Sequence, residues 1–243
     1  QVYSSDQQLI GTWNADNNNR VAIDYNGLSP HLVHALVATE DERFYEHSGV
    51  DFIALGRAVV KRGVMGQASA GGGSTITQQL AKQLFSEKAH STVERLLQKP
   101  IEWIIAVKLE RYFTKEEILA MYFNYFDFLH NAVGIKRAAN VYFNKEPRKL
   151  TVTESAMLVG LCKNPSMFNP LRHPERCLQR RNVVLMQMVK SGYVTKDEYK
   201  ELSQRPLGLH FTRSKPVSGA GDYFQAFLRQ YMMAKKPERS EEH

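Results

Sequence analysis

Two short stretches hold the residue types that chemistry needs. In the first, residues 38–51, the carboxylates Glu40, Asp41, Glu42 and Glu46 crowd around Arg43, Phe44, His47 and Gly49. Crowded carboxylates repel one another, so a chain carries them in water or at a site where the charges act. At the mouth of a cleft, one of them is suited to general-base work. The plain alternative is a charged helix end running into a loop. The second stretch, residues 71–83, runs a triple glycine into Ser74, Thr75, Ile76 and Thr77. Thr75 and Gln78 stand at capping-box spacing. A helix begun this way turns free N–H groups and a positive dipole end toward one point, which suits a phosphate. Lys82 falls two turns on, on the face of Thr75, Gln78 and Gln79, and adds a cation. Here the plain alternative is a helix cap after a flexible loop.

The elements that must position these residues are mostly helices. An apolar run predicts a helix over 31–39 that ends on the acidic cluster. Further helices are predicted over 52–61, after Thr75, over 93–112, 115–125 and 134–143, with a kink or a fresh start at Pro100. Thr151 and Glu154 form a capping box that opens a helix to residue 161, and Thr195 with Glu198 caps another. Pro174 sits at the first position of a helix that Gly192 stops, so Lys190-Ser191-Gly192 reads as a C-cap. Residues 1–29 are polar, with short strands expected at 2–3 and 21–23. They read as a lead-in to a mainly α domain over 30–205. After Pro206 the pattern alternates like a strand over 207–211. A linker and an amphipathic helix over 222–233 follow, so 206–243 reads as a linker and the start of a further region.

Composition narrows the partners. The chain has 243 residues, 43% hydrophobic and 23% charged, which is ordinary for a globular protein. A net charge of +7 suits an anionic partner. The basic residues are spread and do not interleave with aromatics, which argues against nucleic acid. No apolar run is long enough for a spanning helix. The chain opens without a methionine, as a fragment whose targeting segment lay upstream would. Cys162 and Cys177 match neither a metal spacing nor a redox motif, and read as buried thiols in preference to a disulfide.

Taken together, Glu40-Asp41-x-x-Phe44-x-x-His47-x-Gly49 and Gly73-Ser74-Thr75-Ile76-Thr77-Gln78-Gln79-x-x-Lys82 resemble two signatures of the peptidoglycan glycosyltransferase family (glycosyltransferase family 51). This is the transglycosylase domain of class A penicillin-binding proteins. The resemblance covers about residues 30–205. Of a third signature, Lys99 and Glu102 are kept, while Gln98 replaces an arginine and Pro100 intrudes. Arg95, Lys99 and Glu102 share one helix face, so Arg95 is a candidate replacement. Of a fourth, Asn124, Gly134, Ala138, Ala139, Tyr142 and Phe143 are kept, but residues 128–133 lack the family's glycines and tyrosine, with Leu129 and Val133 breaking the pattern. A fifth is matched from Glu154 through Lys163 to Ser166, with Cys162 where proline is common.

The resemblance implies a lysozyme-like, two-lobed helical fold with one lobe on the membrane surface. It implies polymerisation of lipid II onto a growing glycan chain, forming a β-1,4 bond with inversion and releasing undecaprenyl pyrophosphate. Glu40 would be the general base, tuned by Asp41. Glu102 would order the pyrophosphate side, directly or through Mg²⁺ or Mn²⁺, with no cofactor established as essential. Asp41, Ser74, Thr75, Gln78, Gln79, Lys82, Arg95, Lys99, Asn124 and Lys163 would bind substrate, and Phe44, His47 and Gly49 would support the loop. The expected location is the outer face of the cytoplasmic membrane, next to a missing transpeptidase domain and an upstream anchor. The alternatives are a lysozyme-like hydrolase, which needs no pyrophosphate site, and a non-catalytic lipid II-binding domain.

Overall fold

The computed structural model describes residues 2–3, 9–11, 21–63, 73–85 and 92–212, without the side chains of the two strands or of 59, 61–63 and 92–97. The chain forms two compact units, one of 1–19 with 213–243 and the other of 20–212. In the first, β1 (Val2–Tyr3) and β2 (Leu9–Gly11) pair antiparallel, Val2 opposite Gly11 and Tyr3 opposite Leu9. The helix expected over 222–233 lies outside the described residues.

The second unit is built from α1 (Pro30–Glu40), α2 (Phe52–Gly63), α3 (Ile76–Phe85), α4 (Thr92–Tyr112), α5 (Lys115–Tyr125), α6 (Ile135–Phe143), α7 (Val152–Lys163), α8 (Pro174–Lys190) and α9 (Lys196–Gln204). Its core is organised on α1 and α7. In α1, Leu32, Val33, Ala35, Leu36, Val37 and Ala38 are all buried, and in α7 so is every residue from Glu154 to Cys162. Helices apolar all round belong inside. Accordingly α1 packs on α7 and α8, while α3 packs on α4 and α5. The helix starts follow the sequence. Thr114, Thr151 and Thr195 form complete capping boxes, and Pro30 and Pro174 take first-turn positions where a missing N–H goes unnoticed. Gly192 (φ +77°) stops α8, its N–H bonding Val189 O while Tyr193 N–H bonds Met188 O.

The structure corrects several expectations. α4 runs through Pro100 without a fresh start. A proline deletes one N–H and crowds one carbonyl, and the buried Glu102, Ala106 and Leu109 anchor the helix beyond it. Residues 21–23 are not a strand. Asn124 bonds both backbone groups of Ile23, its Oδ1 accepting at 3.1 Å and its Nδ2 donating at 2.8 Å, as a neighbouring strand would. Residues 207–211 are extended but unassigned to a strand. Their N–H groups cap the end of α6, His210 on Tyr142 O and Thr212 on Val141 O, both at 2.9 Å. So residues 21–29 and 206–212 pack within the helical unit. Cys162 and Cys177 are buried and unpaired. Burial pushes both thiols up, Cys177 to about 12.

Candidate active site

Glu40 is the last residue of α1, and Asp41 is its C-cap. The two adjacent carboxylates part company there. Glu40 reaches into a cleft of about 380 Å³ lined by Arg43, Asp51, Arg57, Ser74, Thr75, Gln187 and Lys190 among others. Its Oε2 accepts from Gln79 Nε2 at 3.0 Å, and its Oε1 lies 3.5 Å from the Arg180 guanidinium. Both oxygens are therefore steered, one from α3 and one from α8. Burial pushes the Arg180 guanidinium down, and the Glu40 charge offsets part of that.

Asp41 also lines the cleft, but its carboxylate holds scaffold. Its Oδ2 accepts the Ile76 N–H at 3.0 Å, and both oxygens lie 3.0 Å from His47 Nε2. The N-terminus of α3, which the sequence offers to a phosphate, is thus filled largely from within. Thr75 Oγ1 accepts Gln78 N–H and donates to Gly49 O at 2.6 Å, while Gln78 Oε1 takes the Thr75 N–H and the Ser74 hydroxyl. The physical reason is one a helix N-terminus cannot encode: its partial positive charge attracts whichever anion is nearest, and Asp41 is tethered there. Gln78 Nε2 is the buried donor left without a partner at this helix start.

Gly49 explains its own presence. Its φ is +94°, and a side-chain carbon there would come within 2.8 Å of the Ala106 backbone. Phe44 is fully buried under the same loop, with Lys115 Nζ 4.3 Å from its ring centre. Lys115 also donates to His47 O at 2.7 Å and to Glu110 at 2.8 Å, and Glu110 takes the Thr77 hydroxyl at 2.6 Å. This network ties the acidic loop to α3, α4 and α5.

The other expected site residues are placed elsewhere. Glu102 is buried in α4 and takes the Lys99 ammonium at 2.6 Å. It does not line the cleft that holds Glu40. Lys82 and Lys163 are exposed in the last turns of α3 and α7, outside the cleft lining. Asn124 is engaged with Ile23, so its carboxamide serves the fold. Arg95 lies in α4 with its side chain outside the described residues. Among the described residues no three His, Cys, Asp or Glu converge on a metal position. Glu102 offers one carboxylate, already held by an ammonium, so no step is assigned to a metal.

Four cleft or near-cleft residues escape the sequence reading: Arg57, Arg180, Gln187 and Lys190. Arg57 and Lys190 line the cleft with no ion pair among the described residues. Arg180 had a visible signal. On α8 the buried positions Cys177, Arg180, Arg181, Val184, Leu185 and Met188 form one stripe. A charge on an apolar stripe needs a buried partner.

Residues 6–189 match the family model described as Transglycosylase. Penicillin-binding protein 1A of Aquifex aeolicus is 39% identical over 236 residues, covering 97% of this chain and 31% of the relative. Penicillin-binding protein 1A of Escherichia coli is 37% identical over 232 residues, with 96% and 26% covered. Penicillin-binding protein 1F of Bacillus subtilis is 38% identical over 212 residues, with 87% and 29% covered. The chain thus spans between a quarter and a third of the length of these relatives. The crystal structure of penicillin-binding protein 1A from Haemophilus influenzae superposes with a TM-score of 0.50 at 24% identity, covering 98% of this chain and 24% of that one. That likeness agrees with the mainly α, lysozyme-like fold. With three quarters of its length matched, the chain belongs to the transglycosylase family, whose class of activity is glycosyl transfer.

Proposed function

We propose that this chain polymerises lipid II into β-1,4-linked glycan, with inversion at the anomeric carbon and release of undecaprenyl pyrophosphate. The observation that carries the proposal is the setting of Glu40. It is a carboxylate lining a cleft, steered at both oxygens and sharing that cleft with two cations, Arg57 and Lys190, that have no ion pair among the described residues. As general base, Glu40 takes the proton of the acceptor's GlcNAc 4-hydroxyl while that oxygen attacks the donor's anomeric carbon. The bond to the pyrophosphate breaks and its charge develops on the leaving oxygen. Arg57 and Lys190 are the cleft cations suited to receive that charge. The family's second glutamate corresponds to Glu102, which with Lys99 serves the more distant part of the lipid pyrophosphate.

A membrane-bound substrate requires a chain that meets the membrane. No helix among the described residues is long and apolar enough to cross one. Phe52, Ile53 and Val60 on α2, Phe85 on α3, and Ile101, Ile104 and Val107 on α4 are nevertheless exposed. These side chains support contact of one lobe with the outer face of the cytoplasmic membrane. The same reading makes the chain the transglycosylase part of a longer protein with a transpeptidase domain and an anchor.

The test is polymerisation of purified lipid II, read as glycan length on gels. Glu40→Gln is expected to abolish product, by at least ~100-fold, while leaving lipid II binding intact. Full activity in that variant would refute the role of Glu40. Shortening of preformed glycan by the parent chain would refute transfer in favour of hydrolysis.

A further inference from the structure

Behind Glu40 runs a chain of hydrogen bonds that ends in the core. Tyr122 of α5 is fully buried, and its hydroxyl donates to Gln79 Oε1 at 3.1 Å. The other end of the same carboxamide, Nε2, donates to Glu40 Oε2 at 3.0 Å. We propose that Tyr122 is a positioning residue for catalysis: its hydroxyl fixes which end of the Gln79 amide faces Glu40, and so fixes the orientation of the base. This rests on Glu40 being the base proposed above.

An ionised carboxylate only accepts, so the amide must present Nε2 to it. The amide oxygen then points inward and needs a donor. A buried carbonyl oxygen left without one loses roughly 1–3 kcal/mol. Tyr122 is the donor the fold supplies, and no other donor to Gln79 Oε1 is found among the described residues. Cys162 also interacts with that hydroxyl, and its S–H donates to Leu158 O at 3.6 Å. The thiol is a weak partner, so the Tyr122 proton goes to Gln79. The Tyr122 ring is itself locked, edge-on to Phe123 and stacked with Phe126, with centroids at 5.7 and 6.1 Å. The orientation of Glu40 is thereby referred to the packed core and does not depend on a surface loop. Without the hydroxyl, the inward amide oxygen loses its donor, and only the carboxylate itself still holds Nε2 toward Glu40.

The experiment is a double-mutant cycle on lipid II polymerisation with Tyr122→Phe, Gln79→Met and both together. Tyr122→Phe keeps the ring in the core. It is expected to lower kcat about tenfold while KM stays within about twofold, since orientation acts on the reacting geometry. The double variant should be no slower than Gln79→Met alone, because Tyr122 acts only through Gln79. Thermal melting of each variant accompanies the kinetics. Multiplicative losses, or a kcat loss in Tyr122→Phe that tracks its melting temperature and recovers on cooling the assay, would overturn the proposal in favour of a packing role. Wild-type kcat in Tyr122→Phe would also overturn it. If Glu40→Gln is inactive while Tyr122→Phe is normal, only this inference falls; if Glu40→Gln is active, the proposed function falls with it.

Discussion

Asp41 gives the sharpest contrast between two ways of acting, and substituting it separates them. If Asp41 served Glu40 as a neighbouring charge, its loss would change turnover and leave stability alone. The geometry says instead that it joins two parts of the fold, the Ile76 N–H at the start of α3 and the His47 ring, with the side chain only 4% exposed. Asp41→Asn keeps one oxygen for Ile76 but loses the charge. Hydrogen bonds to a charged group contribute roughly 1.5–3 kcal/mol against about 1 for neutral pairs. An anion at a partly buried helix N-terminus adds about 0.5–2 kcal/mol. The expected loss of stability is therefore about 2 kcal/mol for Asp41→Asn. For Asp41→Ala it rises to about 4 kcal/mol, because the Ile76 N–H and His47 Nε2 both lose their partner in a buried site. Urea unfolding followed by circular dichroism measures both. The midpoint should fall in the order parent, Asn, Ala, with an unchanged slope. Polymerisation should fall with them, since Glu40 is the next residue in the chain. Asp41→Asn as stable as the parent to within about 0.5 kcal/mol, yet inactive, would refute the scaffold role and restore the view of Asp41 as a charge acting on Glu40.

Three further outcomes follow from buried or strained groups. Arg181 is fully buried and donates to the carbonyls of Leu202, Ser203, Arg205 and Pro206, so it caps the end of α9. Arg181→Met should remove about 3–5 kcal/mol, with hydrogen exchange in α9 rising first; uniform exchange across the unit would contradict this. Leu129, His130 and Asn131 sit at φ +66°, +53° and +61°. The exposed Asn131 tolerates that region better than a branched residue, so Asn131→Val should lower stability by about 1–2 kcal/mol and Asn131→Gly by less than about 0.5. Burial pushes the His34 imidazole below its usual 6.5, and His31 adds to the effect. The unfolded chain then binds that proton more readily, so stability falls as pH drops below about 6.5 until the folded form is also protonated. His34→Phe, which preserves a ring against Tyr193 at the 4.1 Å stack, should lose less stability than the parent between pH 7.5 and 5.5 in denaturant titrations.

The sequence was legible wherever a signal is local. Capping boxes at Thr151 and Thr195, Pro174 at a helix start and the stop at Gly192 each depend on residues within one turn, and the helices begin and end accordingly. What stayed hidden depends on partners far along the chain. Asn124 has a carboxamide that would suit a substrate, and no local rule reveals that Ile23, 101 residues away, takes it. The start of α3 shows the same thing at the site itself. Glycines, a threonine cap and a lysine make an anion site by their own physics, but the resident anion is Asp41, 35 positions earlier. Once that is granted, the cations for the pyrophosphate of the proposed reaction must come from elsewhere. Two that line the cleft with no ion pair among the described residues, Arg57 and Lys190, stand on helices α2 and α8, outside the matched signatures. A motif therefore records where the chain must hold its own loops together as much as where it meets a ligand, and only the partner of each polar atom separates the two.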